Sequence, residues 1–87
     1  MTTPRTYYFV YLLECADKTI YTGITTDLLR RLAEHKHGVG SHYTRAHGAK
    51  KMLYSERHAT RGAALRREAE IKRWTREKKL TLARRAH

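Results

Sequence analysis

Five polar side chains stand where a chain of this pattern prefers apolar ones. Tyr11 and Tyr21 lie in two apolar runs, Arg31 and His35 sit one helical turn apart, and Glu68 interrupts an otherwise apolar stripe. Burying a carboxylate or a guanidinium is costly unless it is paired or bound to a metal, so the set needs a shared purpose, and phosphodiester chemistry would use all of it. A single carboxylate with open coordination positions suits Mg²⁺, which keeps several waters and takes its remaining oxygens from phosphate. Arg31 offers a guanidinium to a phosphate whose charge rises in the transition state, while a tyrosine or His35 handles the proton of the attacking water. The competing reading is structural. A tyrosine in a strand is ordinarily packing, and Arg31 with Glu68 could be no more than an ion pair. His37, His42, His47 and His58 have no zinc-site spacing and read as solvated loop residues.

The elements that must position these groups follow from local pattern. Residues 7–15 are apolar or aromatic at eight of nine positions, so both alternating sets are hydrophobic, as in a strand covered on both faces. Residues 19–24 resume the pattern after Ala16, Asp17 and Lys18. If those three form the turn, Cys15 opposes Thr19, Leu13 opposes Tyr21 and Tyr11 opposes Gly23, which puts both tyrosines on one face. Lys18 must then accept a positive φ without being glycine. Gly23 would leave space beside the Tyr11 ring for a phosphate or a metal-bound water.

A helix capped by Thr26 or Asp27 runs up to Gly38, with Leu28, Arg31, Leu32 and His35 on one stripe at about 100° per residue. Residues 38–51 have three glycines, two histidines and no sustained periodicity, and read as a mobile basic loop. Residues 52–56 are the third strand. Thr60 caps a second helix to Trp74, whose apolar face is Ala64, Leu65 and Ile71; Glu68 shares that face and Glu70 points away. Thr75 caps a last helix over residues 76–87, with a solvated basic face. The expected fold is α+β: a three-stranded antiparallel sheet of order 2-1-3 flanked by helices, in the sequence β-β-α-β-α-α.

Eighty-seven residues make one small domain. Nineteen Lys and Arg against eight Asp and Glu give a net charge of +11, which points to a polyanion, nucleic acid before an anionic membrane surface. No segment is both long and strongly apolar, and the N-terminus lacks the apolar run of a secretory signal, so a cytoplasmic protein with no membrane partner is expected. One cysteine, Cys15, excludes an internal disulfide and multi-cysteine zinc sites.

On these residues the chain resembles the GIY-YIG nucleases, in particular their small stand-alone bacterial members. The first motif reads Phe9-Val10-Tyr11, the second Tyr21-Thr22-Gly23; Arg31 and His35 follow, then Glu68 within REAEIKRW. Phe9 stands where the family has glycine, Thr22 where it has isoleucine, and the late asparagine of many members has no counterpart, since the chain contains none. The resemblance implies that residues 1–87 form a single GIY-YIG-like nuclease domain that cleaves phosphodiester bonds, most of all in DNA. One divalent metal, Mg²⁺ or Mn²⁺, would be held by Glu68, with Tyr11 as general base and Tyr21, Arg31 and His35 arranging the phosphate and the proton path. The alternatives are a non-catalytic basic module that binds DNA or RNA on the same fold, and a small ribosome- or RNA-associated protein. Glu68 beside Arg31 favours the enzyme, because a pure binder gains nothing from a buried acid near phosphate. Charge scattered over helix faces predicts binding that reads phosphates rather than bases. Affinity should fall about a hundredfold between about 50 and 200 mM salt if some four phosphates are touched; a salt-insensitive affinity measured by anisotropy would contradict this view of the surface.

Overall fold

In a computed structural model, which describes residues 5–86, β1 (Tyr8–Cys15) and β2 (Ile20–Thr25) pair antiparallel, with Tyr11 opposite Gly23 and Leu13 opposite Tyr21. This is the register that places both tyrosines on one face. The ends of the 1–87 domain, including His87 of the last expected helix, lie outside the described residues. In the turn, the Lys18 amide donates to the Cys15 carbonyl and the Cys15 amide to the Thr19 carbonyl, both at 2.9 Å. Lys18 takes φ +70°, a conformation seldom entered without glycine. Asp17 supports it by accepting from the Thr19 amide (3.1 Å) and hydroxyl (2.6 Å).

The remaining elements are α1 (Leu28–Lys36), α2 (His42–His47), β3 (Ala49–His58), α3 (Arg61–Lys72) and α4 (Arg76–Arg85). The sheet order is β2-β1-β3, antiparallel throughout. Of the two candidate caps for α1, Asp27 does the capping, its carboxylate accepting from the Arg30 amide at 3.1 Å. Thr60 and Thr75 cap α3 and α4 as their positions predict, each accepting from an amide three residues on.

The stretch 38–51 is not a loop throughout. It contains α2, capped by the Ser41 hydroxyl on the Thr44 amide and ended by Gly48 at φ +77°, and then the first residues of β3. Six residues are too few to show a helical period. β3 runs beyond 52–56 at both ends, and register shifts between Leu12 and Leu13 and between Glu14 and Cys15 break the alternation that would have marked its start.

β1 is covered on both faces, which explains its unbroken hydrophobicity. On one side Val10 and Leu12 form the core with Ile20, Ala64 and Ile71, sealed by Tyr8, Ile24, Trp74, Leu80 and Leu82. Leu65 is only half-buried, at the margin of the face that α3 turns inward. On the other side Tyr11 meets His35 of α1. Cys15 is fully buried and free, and burial pushes its thiol pKa up.

Two polar anchors hold the layers. Glu56 on β3 accepts from Tyr54 (2.7 Å) and from Arg67 Nε of α3 (3.0 Å), and pairs with His58 (2.6 Å). Burial opposes its ionisation, yet these partners together hold its carboxyl below the usual value. Lys79 departs from the expected solvated face of the last helix. It is buried with Nζ 3.4 Å from the Ile20 carbonyl, and burial, followed by the charge of Lys72, lowers its pKa. Thr22 is 2% exposed, and its hydroxyl has no partner among the described residues. Thr22→Val keeps the shape and removes that hydroxyl, so an expected gain of about 1 kcal/mol should raise the thermal midpoint by about 4–8 °C. An unchanged or lowered midpoint would mean that the hydroxyl is satisfied.

Candidate active site

Gly23 is where the site begins. A Cβ there would lie 2.5 Å from the Tyr11 hydroxyl and 2.8 Å from Tyr21 Cε2, so glycine is needed to seat both rings. The space above Gly23 is thus taken by the Tyr11 hydroxyl itself, not left for a ligand as its lack of a side chain suggests. The Tyr11 and Tyr21 rings lie 6.2 Å apart, and the Tyr21 ring meets the His35 ring edge-on at 5.2 Å.

From Tyr11 a chain of short hydrogen bonds leads inward. The Tyr11 hydroxyl is 2.6 Å from His35 Nε2, and His35 Nδ1 is 2.7 Å from the Thr44 hydroxyl. The Thr44 hydroxyl lies 2.9 Å from the Ser41 hydroxyl and 3.3 Å from the Ser41 carbonyl; with its proton turned to Ser41, its lone pair is left for the Nδ1 proton. Nε2 is then the acceptor, and Tyr11 donates to it. Gly40 packs where a side chain would strike the His35 ring. The Arg31 Nη2 donates to the Gly40 carbonyl at 2.6 Å and Nη1 to Glu34 at 3.1 Å, so the guanidinium closes the α1 to α2 connection while staying partly exposed.

The electrostatics suit a neutral relay. Burial pushes the Tyr11 pKa up to about 12; Arg31 acts against this, while Tyr21 and Glu68 add to it. Burial and then the charge of Arg31 lower the pKa of His35, which is 1% exposed. Both groups are therefore uncharged at neutral pH, a phenol facing an unprotonated imidazole. Burial works against the charge of Arg31, but Tyr11 and Glu34 outweigh it and raise its pKa, so it stays cationic.

Glu68 lies 15% exposed, against 53% for Glu70, which is tied to Arg67 at 2.5 Å. The orientation of α3 is thus the expected one. The nearest cation to Glu68 is Lys72 Nζ, at 3.6 Å one turn later.

The structure therefore gathers Tyr11, Tyr21, Arg31 and His35 into one cluster, while Glu68, on α3, is paired with Lys72 rather than with any of the four. Sequence reasoning missed Gly40, Ser41 and Thr44, which fall in the stretch taken for a loop. The available signal was the spacing Ser41-x-x-Thr44, a helix cap whose second hydroxyl turns back to the histidine.

The profile of the GIY-YIG catalytic domain matches residues 7–81. A UPF0213 protein of Haloquadratum walsbyi is 51% identical over 88% of this chain and 86% of its own length. Among solved structures, the solution structure of a protein from E. faecalis aligns with 38% identity and a TM-score of 0.62, covering 100% of this chain and 92% of that one. The solution structure of a UPF0213 protein from Bacillus halodurans aligns with 39% identity and a TM-score of 0.55, covering 87% of this chain and 81% of that one.

His35 gives a pH prediction. Its pKa lies below 6.5 in the fold and near that value once unfolded. The unfolded chain therefore takes up the proton first as pH falls. The contribution of His35 to stability is full above about pH 6.5 and is lost progressively below it, through the lower folded value. The thermal midpoint of the wild type should fall more steeply below that pH than that of His35→Gln; parallel profiles would contradict a buried neutral imidazole.

Proposed function

Because the chain belongs to the family of GIY-YIG catalytic domains, we propose that it is a metal-dependent endonuclease hydrolysing phosphodiester bonds in nucleic acid, above all DNA. The observation that carries this reading is the 2.6 Å contact between a buried phenol and a buried neutral imidazole beside an exposed guanidinium edge.

With a pKa of about 12, Tyr11 is not a resting phenolate. It takes the proton of the attacking water only as its own proton passes to His35 Nε2. Nδ1 keeps its proton and donates it to the Thr44 hydroxyl oxygen, which holds the imidazole in the accepting tautomer, the part a third group plays in a catalytic triad. The imidazolium so formed is disfavoured by burial and by Arg31, so Nε2 returns its proton to Tyr11, which passes one to the leaving oxygen, and the relay resets. Arg31, already charged and anchored on Gly40 and Glu34, meets the growing negative charge of the phosphate without rearranging. Tyr21 fixes the planes of the other two rings.

The donor set fits one hard cation. Among the described residues no group of three or more His, Cys, Asp or Glu is placed to hold a metal, and both nitrogens of His35 are already engaged. Glu68 is left as a lone carboxylate, the arrangement that suits Mg²⁺ or Mn²⁺ sharing its shell with water and phosphate oxygens. Such an ion would neutralise charge on the phosphate and its leaving oxygen. Among the described residues no helix is long and apolar enough to cross a membrane, and the +11 charge suits a polyanionic substrate.

Cleavage of single-stranded, duplex and branched DNA and RNA, with Mg²⁺, with Mn²⁺ and with chelator, tests the proposal. Glu68→Gln should abolish cleavage, and Tyr11→Phe should lower it by about 10²–10⁴-fold. Glu70→Gln should leave it within about twofold. Arg31→Ala should lose more cleavage than binding. Tight binding with no cleavage under any of these conditions would reduce the chain to a basic nucleic-acid-binding module, and loss in Glu70→Gln with retention in Glu68→Gln would overturn the metal assignment.

A further inference from the structure

Beside the tyrosine cluster a cavity of about 280 Å³ opens at β2, lined by Ile20, Tyr21, Thr22, Tyr43 and Lys72. β2 is an outer strand of the sheet, so the cavity faces solvent. One wall is Tyr43, 38% exposed. It is braced from behind. Its ring stacks on His47 at 4.1 Å and 25°, and His47 is held by the Asp17 carboxylate, which also accepts from Thr19. The Tyr21 ring stands 5.7 Å away, tilted by 33°. On the other side lies Lys72, whose ammonium is 3.6 Å from Glu68.

A braced, exposed aromatic face beside a cation is what a nucleotide recognises. Bases stack on aromatic rings whatever their identity, phosphates pair with lysine, and a ring already fixed loses little freedom on binding. A base inside a duplex has both faces covered by its neighbours and cannot offer one to Tyr43 without leaving the stack. We propose that this cavity binds one unpaired nucleotide, its base stacked on Tyr43 beside Tyr21 and its phosphate on Lys72. The preferred substrate is then a strand with an unpaired nucleotide flanking the bond that is cut. Only the position of the cut rests on the nuclease reading; occupation of the slot needs no turnover.

The probe is a short strand carrying 2-aminopurine, whose fluorescence stacking quenches, prepared as DNA and as RNA, each alone and annealed to its complement. It is titrated with the full chain in chelator, so that nothing is cut. Quenching is expected in at least one of the single strands and in neither duplex. Tyr43→Ala, and Tyr43→Leu as a bulkier replacement that keeps contact with His47, should abolish quenching and weaken single-strand binding about 5- to 150-fold. Duplex binding should stay within about twofold, and Tyr43→Trp should retain both signals. No quenching in the wild type, or equal losses on single strand and duplex, would overturn the slot. Quenching by a chain that never cleaves would sink the nuclease reading and leave the slot standing.

Discussion

The hydrogen bond from Tyr11 to His35 joins the central strand to α1, and the polar side of the molecule is built around holding it in place and uncharged. It requires Gly23 opposite Tyr11, because any side chain there would occupy the place of the hydroxyl. It requires Gly40 over the imidazole for the same reason. Thr44 must receive the second ring nitrogen, and Ser41 must cap α2 so that Thr44 is held there. Remove any of these and a buried polar group loses its partner, which costs about 1–3 kcal/mol for each group left unsatisfied. The turn serves the same end. Lys18 tolerates its positive φ because a shorter connection would slip the register and send Tyr21 to the opposite face.

The opposite face of the sheet uses ordinary means. Ala64 and Ile71 of α3 cover Val10 and Leu12, and Glu56 ties β3 to Arg67. This division of labour fixes Glu68. The helix is oriented by its apolar contacts, and Glu68 is part-buried with that face and paired with Lys72, while Glu70 is left on the surface with Arg67.

How much of this could be read beforehand depended on the range of each signal. The hairpin register, the sheet order and the inward side of α3 rest on local pattern and on which residues share a face, so they were visible. Tyr11, Tyr21, Arg31 and His35 were conspicuous because each is polar at an inward position. What stayed hidden was short or nonlocal. α2 has six residues, too few for a period, and β3 is masked by its shifts in register. Thr44 acquires its role only when α2 folds back on α1, and Lys79 only when α4 reaches Ile20, 59 positions earlier in the chain. Tyr43 reads as an ordinary loop aromatic until His47 and Asp17 are seen behind it.

The breaks in register along β3 have a consequence for how the protein behaves in company. Among the described residues β3 is the longest strand and lies at a margin of the sheet, where backbone groups that no other strand pairs invite another copy to add on. Its two irregular steps spoil the straight ladder such growth needs, and exposed Lys50, Lys51 and Arg57 set like charges against each other in any head-on pairing of two copies. The same cations that draw the chain toward polyanions therefore protect it from itself, most strongly at low ionic strength, where repulsion is least screened. Resistance to fibre formation and affinity for phosphate are in this strand one property, and trimming its lysines to weaken the second would erode the first.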